Sequence, residues 1–483
     1  MIFIDGTAVN VALPVLQRDF HASAASLQWV VEGYSLFLSA LVLIGGSLGD
    51  HFGRKRVFGI GIALFALASF ACALAGSMEM LIVARCAQGV GGALATPGSL
   101  ALLSATFEGA RRGRAIGTWS GASAMTAAAG PLLGGWLVQV ASWRWVFIIN
   151  LPLAALVLFA LGRVAESRDV DEPPGLDFGG AALATLGLGG LVYGLIRLQG
   201  VALDVPGLWC AACGLGVLGL FVVYEARTPT PMLHLALFRS RTFAVTNAYT
   251  LLLYAALGGS FYFVPFDLIN VQGYTPTAAG AALLPFVVVM SVFSRFSGGL
   301  VARIGARLPL TLGAILAAAG FAAFAAAGLD RSYWISFFPA ALILGVGGAL
   351  FVAPLTTTVM DSVPTAHAGI ASGINNAVAR TAGLIAVAAL GIALASTFER
   401  DLSRELRRDN ASAATLEVVQ RTSGQILAGR VPDAIGGRER TLLAHAIASA
   451  YVGGFRVAML TGAALSLGAG ILALTLLPRR RPA

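Results

Sequence analysis

Of 483 residues, 57% are hydrophobic and only 11% charged, and the mean hydropathy is +0.82. Soluble domains carry about 25% charged residues, so this composition excludes one and indicates an integral membrane protein. The net charge of +9 raises the question of nucleic-acid binding, but its distribution answers in favour of membrane topology.

About 20 apolar residues at ~1.5 Å each cross ~30 Å of hydrocarbon as a helix. Windows of that kind are predicted at 28–48, 57–76, 79–103, 113–138, 145–162, 176–196, 206–224, 243–266, 278–301, 308–329, 335–359, 368–397 and 447–477. A further window runs from Met1 only to about Leu16, short for a crossing, which suggests residues upstream. No basic n-region or small-residue cleavage site precedes it, so it does not read as a removable signal peptide.

Along this path the charges fall where few are expected. Asp5 lies in the first window, and Glu32 follows in Trp29-Val-Val-Glu32-Gly-Tyr34. Reversible protonation needs a buried acid, so these two carboxylates are the candidates for it. For Glu32, binding of a cationic substrate or a place near the outer surface are alternatives. The next feature is a polar insert, Gly46 to Arg56, containing Asp50, Gly53, Arg54 and Lys55. It predicts a tight hairpin between two spans, with Gly53 permitting a positive φ. Asp50 is placed to sit near a helix N-terminus or to pair with Arg111, Arg112 or Arg114, which would stabilise one packing of two helical bundles. Arg85, inside 79–103, is costly at that depth and should face a cavity or a carboxylate. Window 113–138 holds Gly121, Gly130, Pro131, Gly134 and Gly135, where proline kinks a helix and small residues allow close helix approach.

The second half repeats the first. Gly89-Val-Gly91-Gly92-Ala93-Leu94 followed by Pro97 recurs as Gly345-Val-Gly347-Gly348-Ala349-Leu350 followed by Pro354, an offset of 256. The hairpin has an echo from Gly298 to Arg307 at offset 252, with Ala302 where Asp50 stands. A parallel duplication follows. It divides the chain into a six-helix bundle over 1–165, two additional helices and linkers over 166–240, and a second six-helix bundle over 241–483. Asp267 and Arg295 lie near predicted helix ends, within reach of water. Arg380 lies deeper and, with Asn375 and Asn376, lines a cavity or makes interhelical hydrogen bonds.

Placing the Gly46 to Arg56 hairpin in the cytoplasm puts sixteen basic residues on inner loops against four on short outer ones. By the positive-inside rule both termini are then cytoplasmic. The one long outer segment, 398–446, carries eight Arg and seven acidic residues and is expected to form a solvated helix or two. The Asn410-Ala-Ser412 sequon there and the Cys210-Ala-Ala-Cys213 spacing read as a chance match and as packing thiols, since neither a second Cys pair nor a nearby His completes a metal site.

These motifs resemble those of the major facilitator superfamily, in particular its fourteen-span drug:proton antiporter family. The hairpin resembles GxLxDxxGRK at Gly46, Leu48, Asp50, Gly53, Arg54 and Lys55. Arg85, Gln88, Gly89, Gly91 and Ala93 resemble RxxQGxGxA, and the glycines from Gly121 to Gly135 resemble the antiporter pattern G-x8-GPxxGG. Asp5 to Pro14 resembles DxTxVNVALP of the fourteen-span family. The resemblance implies an all-α membrane fold of two bundles plus two central helices, proton coupling by Asp5 and Arg85, and no cofactor beyond the proton gradient. Glu32 departs from the family pattern, where an uncharged polar residue is usual.

No G-x-x-x-x-G-K-[ST] phosphate loop is present and Lys55 is the single lysine, which leaves an ion gradient as energy source. The expected function is proton-driven export of amphipathic or cationic small molecules across the cytoplasmic membrane by alternating access. Trp29, Tyr34, Phe37, Phe261 and Tyr262 would supply an apolar site. Export of one endogenous metabolite or natural product is the alternative, and a membrane sensor a weaker one. An enzyme is disfavoured, because the five histidines are scattered and no metal or catalytic cluster forms. The expected partners are substrate and membrane lipid, with a periplasmic adaptor and outer-membrane channel as further candidates, and no nucleic acid.

Overall fold

In hydrocarbon every backbone N–H and C=O must be satisfied within the segment that carries it, so long apolar runs become helices. The computed structural model describes residues 1–106, 119, 123, 126, 129–167, 175–199, 204–297, 300–329, 332–363, 368–409, 411–421, 432 and 435–478, and among them there are helices and no strands. The helices, numbered in chain order, are α1 (Ile2–Phe20), α2 (Ala24–Phe52), α3 (Arg54–Ala73), α4 (Met78–Thr106), α5 (Ala129–Val140), α6 (Trp145–Leu161), α7 (Phe178–Arg197) and α8 (Val205–Glu225). They continue with α9 (Arg241–Phe266), α10 (Pro276–Ser294), α11 (Arg307–Ala325), α12 (Tyr333–Asp361), α13 (Ala368–Arg408) and α14 (Gly437–Leu476). Ten of these are long and apolar enough to cross a membrane, and α5 and α6 are shorter apolar helices. The chain is a multi-pass membrane protein.

Two windows differ from expectation in an instructive way. The first helix does not stop near Leu16 but runs to Phe20, ending at His21 in the left-handed region. Its terminal Gln17, Arg18 and Asp19 broke the apolar run in sequence, yet Gln17 is buried and Asp19 accepts a hydrogen bond from Trp143 Nε1 at 2.8 Å. Both ends of the expected outer loop at 398–446 are continuations of its flanking helices. α13 extends to Arg408 and α14 begins at Gly437, and among the described residues between them is one short helix, Ala413–Arg421. At 41 and 40 residues these helices are about 60 Å long, twice the hydrocarbon thickness.

Glycine sets the closest helix pairs. A Cβ at Gly91 on α4 would lie 3.0 Å from Gly61 O on α3, and one at Gly347 on α12 would lie 2.9 Å from Gly313 O on α11. The same seam thus recurs at offsets of 256 and 252. α9, α13 and α14 pack on one another, as do α11 and α14, while α2 touches α13 and α1 touches α9 and α10 across the halves. α7 and α8 pair through Gly187, Gly190, Gly194 and Gly214, and α7 also lies against α2 and α13. The outer face of α8 carries exposed Leu208, Trp209, Leu215 and Leu220, a surface suited to lipid.

Candidate functional site

Four helices of the first half contribute one polar side chain or more to a single buried cluster. Arg85 and Gln88 are three apart on α4 and so share a face, and they meet Asp5 from α1, Ser69 from α3 and Asn150 from α6. Asp5 Oδ2 accepts from Arg85 Nη1 at 2.5 Å, and Asp5 Oδ1 accepts from Gln88 Nε2 at 3.0 Å and Asn150 Nδ2 at 2.9 Å. Arg85 also donates to Gln88 Oε1 at 2.5 Å and to Val30 O at 2.9 Å, and its guanidinium lies 4.3 Å from the centre of the Tyr34 ring. Gln88 Nε2 donates onward to Ser69 Oγ at 2.7 Å. Asp5, Arg85, Gln88, Ser69 and Asn150 are each at most 1% exposed. Desolvating both charges is tolerable only because the pair is close and its remaining polar atoms find partners.

The predicted hairpin is tighter than its polar composition suggests. α2 ends at Phe52 and α3 begins at Arg54, so the turn is Gly53 alone, at φ +108°. Gly46 is no part of the turn: it lies within α2, and a Cβ there would touch Pro97 of α4. The first N–H groups of α3 are bound by a residue that sequence reading passed over. Glu166 Oε1 accepts from Lys55 N at 2.8 Å and its Oε2 from Arg56 N at 3.3 Å, while Ser167 O accepts from Arg54 N. A carboxylate at a helix start is favoured by the unpaired N–H groups there. The Asp50 side chain and Arg111, Arg112 and Arg114 lie outside the described residues, as does Gly121.

The other antiporter-pattern glycines mark where α5 is pressed between neighbours. Added Cβ atoms at Gly130 and Gly134 would strike Thr7 and Ala8 of α1, and one at Gly135 would strike Pro276 at the start of α10. Gly280 of α10 in turn lies against the Pro131 carbonyl. α5 is therefore wedged between the two halves.

Residues 1–388 match the family model for the Major Facilitator Superfamily. The chain belongs to the major facilitator superfamily. Relatives of this major facilitator include the multidrug resistance protein Stp of Mycobacterium tuberculosis, 38% identical over 84% of this chain and 76% of Stp. The tetracenomycin C resistance and export protein of Streptomyces glaucescens is 33% identical over 98% of this chain and 89% of that protein. The drug efflux pump JefA of Mycobacterium tuberculosis is 32% identical over 99% of this chain and 96% of JefA. Among solved structures, a bacterial homologue of the lysosomal transporter Spinster superposes with a TM-score of 0.66 over 100% of this chain and 96% of its own, at 18% identity, which supports the fold.

The remaining candidates of this major facilitator separate into groups. Trp29 packs on Tyr193 of α7, ring centres 6.2 Å apart. Phe261 packs on Phe286 of α10 at 5.0 Å. Asn375 donates to Asn247 Oδ1 and Thr250 Oγ1 at 3.1 and 2.7 Å, which ties α13 to α9 within the second half, whereas Asn376 is exposed. Glu32 does not lie at an outer surface: it is 1% exposed, and neither oxygen has a hydrogen-bond partner among the described residues. Asp267, expected to reach water, is also 1% exposed, because α9 continues past it in a π-turn, Asp267–Val271. Arg295's side chain lies outside the described residues.

A polar knot also escaped sequence reading. Gln199, just after α7, donates through Nε2 to Gln28 Oε1 on α2 at 2.7 Å and to Ala388 O on α13 at 3.2 Å, and Gln28 Nε2 donates to Val387 O at 2.9 Å. Isolated glutamines carry no motif, and their partners are more than 150 positions away in sequence.

Proposed function

We propose that this transporter exports amphipathic small molecules across the cytoplasmic membrane in exchange for protons, by alternating access between its two halves. The observation that carries the reading is the buried Asp5–Arg85 pair with its Gln88, Asn150 and Ser69 shell. A fully enclosed acid whose charge balances a single guanidinium is a means of making helix packing depend on proton occupancy. The names of the relatives, which speak of multidrug resistance and of drug efflux, support the substrate class. On this reading Asp5 is the coupling acid, Arg85 its switchable partner, Glu32 an additional acid for a proton or a cation, and the Asp50 hairpin a lock at the cytoplasmic face. We further assign fourteen spans with both termini cytoplasmic, two bundles flanking α7 and α8, and an energy supply from the gradient without a cofactor. A periplasmic adaptor and outer-membrane channel would complete export where an outer membrane exists. A dedicated exporter of one natural product is the second reading, favoured by relatives named for single antibiotics such as tetracenomycin C and lincomycin.

The test is export and susceptibility profiling in a pump-deleted host, together with substrate-induced proton flux in vesicles. Asp5→Asn is expected to abolish accumulation against a gradient and the accompanying flux. Normal uphill export by Asp5→Asn would refute the coupling assignment.

A further inference from the structure

Two buried carboxylates where α7 begins and α8 ends take no part in the Asp5 cluster. Asp177 is the residue just before α7 and Glu225 is the last of α8, and they are 6% and 2% exposed. Asp177 Oδ1 accepts from Gly180 N at 2.7 Å, which caps the helix. Its Oδ2 accepts from Met232 N at 3.4 Å, and Glu225 Oε2 accepts from the next amide, Leu233 N, at 2.9 Å. The two acids thus hold consecutive amides of the linker that leads from α8 to α9. Glu225 Oε1 is buried and has no hydrogen-bond partner among the described residues. It borders the same small gap as Asp177 Oδ2, since a Cβ at Gly180 would lie 2.5 Å from the aspartate oxygen and closer still to the glutamate one. Among the described residues neither acid has an ion-pair partner. Arg227, two positions past Glu225, is exposed, and the helices against α7 meet it through Leu36 and Ala40 of α2 and Leu384 and Ala388 of α13. The other titratable groups alongside are the Tyr224 phenol, which lies on Gly179, and His234, the residue after Leu233.

Two buried carboxylates that face each other without a cation cannot both stay ionised, because repulsion and desolvation each favour a proton on one of them. Once one acid is protonated it can donate to the other, which joins two oxygens that otherwise only accept. A hard metal ion would need roughly six oxygens, and most of those here already accept from N–H groups. We propose that Asp177 and Glu225 bind one shared proton, which holds the linker at Met232 and Leu233 closed against the α7–α8 pair. The linker joins different bodies: Met232 packs on the cluster of α2, α7 and α13, and Leu233 on the main core. A few residues on, Ser240 accepts from Phe243 N at the start of α9 and donates to Ser362 O, just past α12. Release of the linker would therefore loosen α9 from α7 and α8. On the fourteen-span assignment six crossings separate Gly53 from Glu225, so the pair reads the pH at the face assigned to the cytoplasm. Neither substrate nor Asp5 enters this site, which stands whether or not the export reading does.

The closed linker binds one more proton than the open one, so it is firm at low pH and weakens as pH rises. Hydrogen exchange of the segment 228–239, read by mass spectrometry on the full chain in nanodiscs, reports the two amides. The pH runs from about 6 to 9, where ordinary carboxyls are ionised throughout, and exchange times are scaled to the intrinsic rate at each pH. Protection in wild type should fall about tenfold across that range, within the limit of tenfold per pH unit for one proton. Glu225→Gln carries amide hydrogens that no pH in this range removes, so its segment should stay protected throughout. Glu225→Ala should leave the segment unprotected at every pH, and His234→Gln should keep the wild-type step. A wild-type profile flat with pH, a step that survives in Glu225→Gln, or a step that vanishes in His234→Gln would overturn the shared proton.

Discussion

The helix pair α3–α4 and its repeat α11–α12 share a scaffold but not a chemistry. Both close on a glycine seam, Gly61 with Gly91 and Gly313 with Gly347, and both are preceded by a glycine turn at positive φ, Gly53 and Gly305. Yet the positions 256 residues beyond Arg85 and Gln88 are Ala341 and Leu344, each fully buried. Duplication therefore supplied the close packing twice, and the charged cluster belongs to one copy. The turns differ similarly: Glu166 binds the first N–H groups of α3, while the start of α11 has no side-chain cap.

The largest effect that would test this contrast is loss of one member of the buried pair. Asp5→Asn or Arg85→Gln alone should destabilise the protein by about 3–5 kcal/mol, the cost of a buried charge left unpaired, and the double change to leucines should cost less than either. Thermal unfolding in detergent measures both, and Ala341→Ser in the other half should shift the midpoint little. Comparable losses at Ala341 would show that the second seam also carries charge-dependent packing. Next in size, Gly91→Val and Gly347→Val should each cost about 1–3 kcal/mol by overpacking, with similar shifts in midpoint. A large difference between them would break the equivalence of the seams. Gly53→Ala and Gly305→Ala should each cost about 1–2 kcal/mol, since both hold backbone conformations that a side chain disfavours. The smallest effect is expected at Glu166→Gln, about 0.3–1 kcal/mol from weaker N–H binding at the start of α3. At the same turn, transport assays should find Asp50→Asn far more damaging than any change at Ala302, and equal tolerance would count against a lock.

Much of this was legible in sequence because it rests on spacing. The repeat offsets located the seams, and the rarity of charge in apolar windows singled out Asp5, Glu32 and Arg85. The companions of Asp5 were not legible: Ser69 and Asn150 are neutral, lie in ordinary apolar runs, and acquire meaning only when α3 and α6 bring them to one carboxylate. Glu166 was hidden for a related reason, since one acid among several in its linker, with Asp169, Asp171 and Glu172 close behind it, gives no sign of which helix start it will bind. Trp29 and Asn375 show how far residue type alone reaches. It suggested a cavity for Trp29, which packs on Tyr193 of α7, while for Asn375 it left open the interhelical hydrogen bonds that tie it to α9. Asp267 was misjudged because a π-turn prolongs α9 beyond the point where the apolar pattern ends.

Gln199 has a consequence for the engineering of such chains. Its amide is held at once by the first half, through Gln28, and by the second, through Ala388, and Gly391 leaves the room it occupies, since a Cβ there would collide with it. The α7–α8 pair is thus stitched into the joint between α2 and α13, one helix from each half, and is no detachable cassette. Excising it to make a shorter, twelve-helix chain would leave a glutamine without its mate and a notch without its filling at that joint.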